Sequence, residues 1–168
     1  MRANISAEPA RLLAGFDFFG DPFRNHGGWS AENEIGRLWQ RWFDYLQKAG
    51  ETFLHIRDFN VQYEFQIYHP ETIQTGEFEI FVGLEVTQLD HLPLHVVGKI
   101  LPAGRYAVFT LVGEEIATDW TWKLDHEWLP QLGVQRSMDF SIQRYDSRFK
   151  GLDRVAESEL DVYIPLLL

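Results

Sequence analysis

The chain of 168 residues contains no cysteine. That excludes disulfides, thiolate nucleophiles and Cys-ligated metal sites. Positive charge is also scarce: 15 Lys and Arg stand against 25 Asp and Glu, a formal net charge of −10. Binding to a nucleic-acid backbone draws on clustered basic residues, so no direct nucleic-acid contact is expected. No run of ~18 apolar residues occurs, so neither a transmembrane helix nor a membrane partner is expected. The N-terminus lacks a basic stretch followed by an apolar run, so no secretory signal is visible and the expected location is the cytoplasm. Neither a Gly-x-Ser-x-Gly elbow nor a Gly-x-x-x-x-Gly-Lys phosphate loop is present. His91 and His95 are four apart, but Pro93 between them disfavours a helical pair of ligands. Neither a metal nor a cofactor is expected.

What the chain has in excess is aromatic. Phe, Trp and Tyr make up 15%, with 13 Phe, 6 Trp and 6 Tyr. Such a share suits a large core, and it equally suits a pocket for flat or cationic molecules. The other proportions, 45% hydrophobic and 24% charged, are those of an ordinary globular domain, and the length suits one.

Residues 9–19 read as an aromatic-rich strand, followed by a loop marked by Asp21, Pro22, Gly27 and Gly28. Ser30 is positioned to cap a helix beginning near Ala31. Ile35, Leu38, Trp39, Trp42 and Leu46 then recur at helical spacing, and Gly50 is the expected stop. Residues 61–68 and 77–86 alternate with period two, joined by a connection containing Pro70 and Gly76, which predicts a hairpin. Phe78, Ile80, Val82, Leu84 and Val86 fall on one side, and Glu79, Phe81, Gly83 and Glu85 on the other.

The order repeats in the second half. Residues 96–101 and 105–112 read as extended and 114–130 as a helix bearing Ile116, Trp120, Leu124 and Trp128, with Pro130 and Gly133 at its end. Residues 139–146 and 158–166 read as strands. The expected fold is α+β: two strand-helix-strand-strand modules, about 9–88 and 95–168, in a pseudo-twofold arrangement. Helices are expected on one face of an antiparallel sheet, with a concave central cleft on the other.

Several segments carry a family resemblance. Glu34-Ile35-Gly36-Arg37-Leu38-Trp39-Gln40-Arg41-Trp42-Phe43 resembles the first helix of the GyrI-like small-molecule-binding superfamily. Phe81-Val82-Gly83-Leu84-Glu85-Val86 resembles its hairpin strand, and Leu101-Pro102-Ala103-Gly104-Arg105-Tyr106-Ala107-Val108-Phe109 the start of its second module. His126-Glu127-Trp128-Leu129-Pro130 resembles the end of its second helix. Tyr145-Asp146-Ser147-Arg148-Phe149 and Val162-Tyr163-Ile164-Pro165-Leu166 resemble its last two strands. The superfamily includes effector-binding domains of AraC-type and multidrug-sensing transcription regulators, and stand-alone integron-cassette forms. The resemblance implies a stand-alone binder of flat, hydrophobic, often cationic compounds, linked to transcription regulation or toxin resistance. In regulator members a DNA-binding module precedes this domain; residues 1–8 leave no space for one, so direct transcription control by this chain is not expected.

One position departs from the pattern. Many members carry a buried glutamate two residues before the tyrosine of the penultimate strand, where this chain has Gln143. An amide supplies no formal charge and shuttles no proton. Cation preference and hydrolase chemistry therefore need Glu79 or Glu85 instead.

Candidate ligand contacts are Trp39, Tyr68, Phe81, Glu85, Tyr106, Gln143, Tyr145 and Tyr163. Gln143 and Tyr145 share a strand face, as do Phe81 and Glu85, and Tyr68 shares one with Gln62, Glu64 and Gln66. Trp39 and Trp42 lie on the apolar helical face, where core packing is the ordinary role, with Trp39 able to reach a cleft floor. Tyr106 and Tyr163 either offer hydroxyls to a ligand or pack within the sheet. Trp120 and Trp122 point about 200° apart on a helix, so Trp122 lines an opening or an oligomer contact. No catalytic residue stands out. The alternatives are a hydrolase of an electrophilic toxin, with Glu79 or Glu85 as base, and a protein-interaction module of the gyrase-inhibitor kind.

Overall fold

The structure, a computed structural model, describes residues 1–49 and 55–167. Its strands are β1 (Arg2–Glu8), β2 (Arg11–Gly20), β3 (Gln62–Ile67), β4 (Phe78–Val86), β5 (Val97–Leu101), β6 (Gly104–Val112), β7 (Phe140–Tyr145) and β8 (Glu159–Pro165). They form one antiparallel sheet in the order β1-β6-β8-β7-β3-β4-β2-β5. The inner six strands read symmetrically outward from the central β7/β3 pair. β8 and β4 come next, then β6 and β2, so strand-helix-strand-strand occurs once on each side. This is the α+β architecture that the alternation predicts.

Sequence periodicity misses β1. It pairs only with β6 and is largely exposed, so it carries no alternating pattern to read. The strand expected over 9–19 begins instead at Arg11, and Pro9 and Ala10 become a link. That link joins one edge of the sheet to its seventh position. A second two-residue link, Pro102-Ala103, joins the opposite edge, β5, to the second position, β6. Two intervening residues span at most about 11 Å. The sheet must therefore curl strongly to bring its ends within reach. Arg11 holds one corner through Glu8 (2.8 Å) and Glu85 (3.2 Å), and the Tyr106 hydroxyl donates to the Pro102 carbonyl (2.8 Å) at the other.

Curling makes the helix-free face concave, and the middle of that concavity is filled with side chains. Leu13, Tyr63, Phe65, Phe81, Leu101, Tyr106, Val108 and Ile142 form one buried cluster there, with Tyr163 packed against it. Phe81 lies over the cross-strand pair Gly15 and Gly83. A Cβ on Gly15 would come 1.9 Å from the Val82 carbonyl oxygen and 2.8 Å from the Phe81 ring. Gly15→Ala is therefore expected to destabilise the fold by about 2–3 kcal/mol through overpacking. Guanidinium unfolding measures this, and a cost below about 1 kcal/mol would show that the two strands separate easily.

The other face carries two separate hydrophobic layers. α1 (Glu34–Ala49) packs Leu38 and Trp42 onto Ala14 and Phe16 of β2 and the Phe78-to-Val86 stripe of β4. The segment 113–132 packs Ile116, Trp120, Leu124, Trp128 and Leu129 onto β6 and β8. Helix 1 starts later than expected. Asn33, 2% exposed, caps it by accepting from Gly36 N–H (2.9 Å) and ties back to the Gly28 carbonyl (2.8 Å). Ser30 instead accepts from Glu32 N–H (3.0 Å) in a preceding turn. The expected stop at Gly50 lies outside the described residues. In the hairpin connection, α2 (Thr72–Thr75) forms one short turn closed by left-handed Gly76.

The expected single helix over 114–130 is broken into pieces. A 3-10 turn (Gly113–Ala117) precedes α3 (Trp120–Lys123), then a wide π turn (Leu124–Trp128), then α4 (Leu129–Leu132). Pro130 has no N–H to return to the His126 carbonyl, and the preceding turn widens so that Leu129 N–H reaches Leu124. Gly133, at φ 65°, ends the run as the sequence indicates. Among the described residues no helix is long and apolar enough to cross a membrane.

Candidate ligand-binding cleft

Neither helical layer covers the middle of the sheet. Among the described residues, none of β3 or β7 is a buried member of the two cores beneath the helices, and of these strands only Tyr145, at the end of β7, packs against one of them. On this face the central pair presents Gln62, Glu64 and Gln66 from β3, opposite Tyr145, Gln143 and Ser141 from β7. The gap above them is a cleft of about 1070 Å³. It lies on the helix-bearing face, between the helices. The expectation of a central cleft on the opposite face is thus overturned, because the middle of that face is filled by the rear cluster.

Four sequence candidates meet at the cleft: Trp39, Tyr68, Gln143 and Tyr145. The other four do not. Phe81 (0% exposed), Tyr106 (1%) and Tyr163 belong to the rear core, where Phe81 covers the two glycines. Glu85 is on that same side and is engaged by Arg11 and Arg57 (3.1 Å). Glu79, the other carboxylate considered, pairs with Lys99 there. Neither can act as base or counter-charge in the cleft. Trp122 is half-exposed at the cleft opening, stacked on His126 at 4.7 Å.

Glu64 is the candidate site residue that sequence reasoning passes over. Its carboxylate is 3% exposed at the centre of the floor. Oε1 accepts from Gln66 Nε2 (2.7 Å) and Gln143 Nε2 (3.1 Å), and Oε2 accepts from Trp39 Nε1 (2.7 Å). Two phenols extend the network outward: Tyr68 donates to Gln66 Oε1 and Tyr145 to Gln143 Oε1, both at 2.7 Å. Every neighbour in this chain is oriented to donate toward the carboxylate. None of the ion pairs among the described residues involves Glu64. Burial pushes its pKa up, and the three hydrogen bonds pull against that rise. The Gln-x-Glu-x-Gln stripe alternating with Tyr63, Phe65 and Ile67 looks like a solvent face. The available signal is Gln143, its cross-strand partner, at the position where the family resemblance implies an acid.

Aromatic rings line one wall. Trp39 stacks on Phe43 (5.4 Å) and meets Tyr145 edge-on (5.2 Å), Tyr145 meets Phe149 (4.9 Å), and Phe149 approaches Trp29 (6.4 Å). The loop bearing Trp29 passes so close to α1 that a Cβ on Gly36 would meet the Ser30 carbonyl at 2.4 Å. A large apolar cleft with a few convergent polar groups is the usual form of a small-molecule site.

Comparison with known proteins agrees with this geometry. The Pseudomonas aeruginosa transcriptional regulator BrlR is 31% identical over 170 residues, covering 99% of this chain and 56% of the regulator. The chain thus spans about half the length of that relative. Among solved structures, SAV2435 bound to tetraphenylphosphonium superposes with a TM-score of 0.68 at 13% identity, covering 99% of this chain and 94% of that one. A Staphylococcus aureus putative bacterial transcription regulation protein gives 0.63 at 14% identity, covering 99% and 98%. Residues 3–167 match the GyrI-like small molecule binding domain. With the sheet, the cleft and this match in agreement, the chain belongs to the GyrI-like small-molecule-binding family.

Proposed function

We propose that the cleft binds an aromatic organic cation, with Glu64 as its counter-charge. The observation that carries this reading is a buried carboxylate without a cationic partner, set in an aromatic-walled cleft. Leaving a charge unpaired away from water is costly, and a ligand cation removes that cost. The Trp39, Phe43 and Tyr145 faces favour the same ligand, since aromatic rings attract cations at their faces. Gln143 does not abolish cation preference here, because the charge stands across the strand pair on Glu64. The binding of tetraphenylphosphonium by the structural neighbour SAV2435 supports the choice of ligand class. The relation to BrlR supports an effector-sensing role in transcription regulation.

The test uses two ions of equal shape and opposite charge. Tetraphenylphosphonium is expected to quench the cleft tryptophans and raise the melting temperature, and tetraphenylborate to do neither. Equal binding of both ions would leave burial alone as the driving force. Binding of neither, and of no dye in a panel of aryl cations, would overturn the reading.

A further inference from the structure

The cleft floor carries a second polar centre. Among the described residues, two buried side-chain atoms make no hydrogen bond of ordinary geometry, Arg136 Nε and Ser141 Oγ. Both residues line the same cleft. Ser141 is 1% exposed and sits opposite Gln66 on the floor, as Gln143 sits opposite Glu64. Two residues along a strand separate these positions by about 7 Å. The polar group nearest to Ser141 Oγ is the Tyr68 phenol, whose own proton goes to Gln66 Oε1, and that phenol also feels the charges of Arg136 and Asp125. Ser141, Tyr68, Arg136 and Asp125 all line the cleft.

These groups select a chemistry. Arg136 already gives Nη2 to Asp125 (2.6 Å), so its charge is balanced while its Nε–H remains to be accepted. Ser141 adds a hydroxyl that can donate as well. Buried polar atoms in folded proteins nearly always find a partner in protein, water or ligand. A ligand carboxylate here would face Asp125 and Asp139, which also line the cleft. A neutral oxygen meets no such repulsion.

Resting on the cation reading above, we infer that the cleft takes a two-ended ligand. Its aromatic cationic centre sits at Glu64, and a neutral acceptor (a ketone, ester or amide oxygen) sits at Ser141 Oγ, about 7 Å away along the floor, with Arg136 Nε–H on the same cleft lining as its second donor.

The test compares two phosphonium ions of nearly equal size: (4-acetylphenyl)triphenylphosphonium and its isopropenyl counterpart, in which a methylene replaces the ketone oxygen. Affinities are measured by calorimetry for the wild type and for Ser141→Ala, Arg136→Lys and Glu64→Gln. Arg136→Lys keeps the charge facing Asp125 and removes the Nε–H. The wild type is expected to prefer the acetyl ion about tenfold. Ser141→Ala and Arg136→Lys should each cut that preference to about threefold or less, with little effect on the isopropenyl ion. Glu64→Gln should weaken both ions alike and leave their ratio unchanged. Two results overturn the acceptor centre and leave the cation site standing: equal affinity of the two ions for the wild type, and a preference that survives both substitutions. Failure of either ion to bind the wild type overturns the cation reading itself.

Discussion

Glu64→Gln is expected to weaken tetraphenylphosphonium binding about 100-fold while making the unliganded protein more stable. Both effects follow from one placement. The carboxylate is buried at the centre of the floor with hydrogen-bond donors but no cation around it. Its charge therefore opposes the empty fold and favours the loaded one. The substituted amide is accommodated. Gln66 and Gln143 can turn their amides, whereupon Tyr68 and Tyr145 accept where they now donate. The pH dependence has a definite sign. Burial raises the Glu64 pKa in the folded state above its unfolded value. Between those two values the folded state holds more protons, so stability is greatest below the ordinary carboxylate range and falls as pH rises to the raised pKa. Cation affinity moves oppositely and grows over the same rise. Melting curves of the unliganded proteins across acid to neutral pH should converge at low pH, with Glu64→Gln the more stable at neutral pH. An unchanged neutral melting temperature would show that the three hydrogen bonds fully offset desolvation.

The same position offers a relocation. Glu64 and Gln143 face each other across the central strand pair. Adding Gln143→Glu to Glu64→Gln moves the charge across the strand pair, to the position where the family resemblance implies an acid. The double variant is expected to regain tetraphenylphosphonium binding to within about tenfold of wild type. A double variant that binds no better than Glu64→Gln would mean that side, as well as charge, is fixed.

Trp42→Ala is expected to cost about 4 kcal/mol of stability, read from the guanidinium midpoint. Trp42 is 0% exposed, meets Phe16 edge-on at 5.3 Å and stacks on Tyr45 at 5.8 Å. Its Nε1 donates to Gln62 Oε1 (2.9 Å) on the floor strand, so truncation opens a cavity and also removes the donor to a buried carbonyl. Trp42→Phe retains the ring without the donor and should cost about 1–2 kcal/mol. A loss below about 2 kcal/mol for the alanine variant would show that α1 settles into the gap.

The strands were legible where one side of a strand meets a helix. The Phe78-to-Val86 stripe is buried under α1 on the side its alternation indicates. β1 was not legible, because an edge strand that buries little has no apolar period. The cleft was partly legible. Trp39, Tyr68, Gln143 and Tyr145 line it, but alternation alone does not say which face of a curled sheet stays open. Phe81 is expected in the cleft and is buried instead in the rear cluster, on the face that the two short links curl inward. Glu64 was hidden because a polar stripe beside an apolar one ordinarily means solvent. Here both sides of β3 are covered, one by the packed rear core and one by the cleft.

The two links that carry β1 and β5 to opposite edges also bear on how the molecule assembles. Each half lends its first strand to the outer side of the other, so neither sheet half is complete until both have formed. Pairings of such long sequence separation are made late and together. The two sides of the cleft thus rise and fall as one cooperative unit, and a hinge that parted them would have to peel an edge strand away. Admission of a ligand therefore falls to the rim, where Trp29, Phe43 and Trp122 stand exposed above the floor.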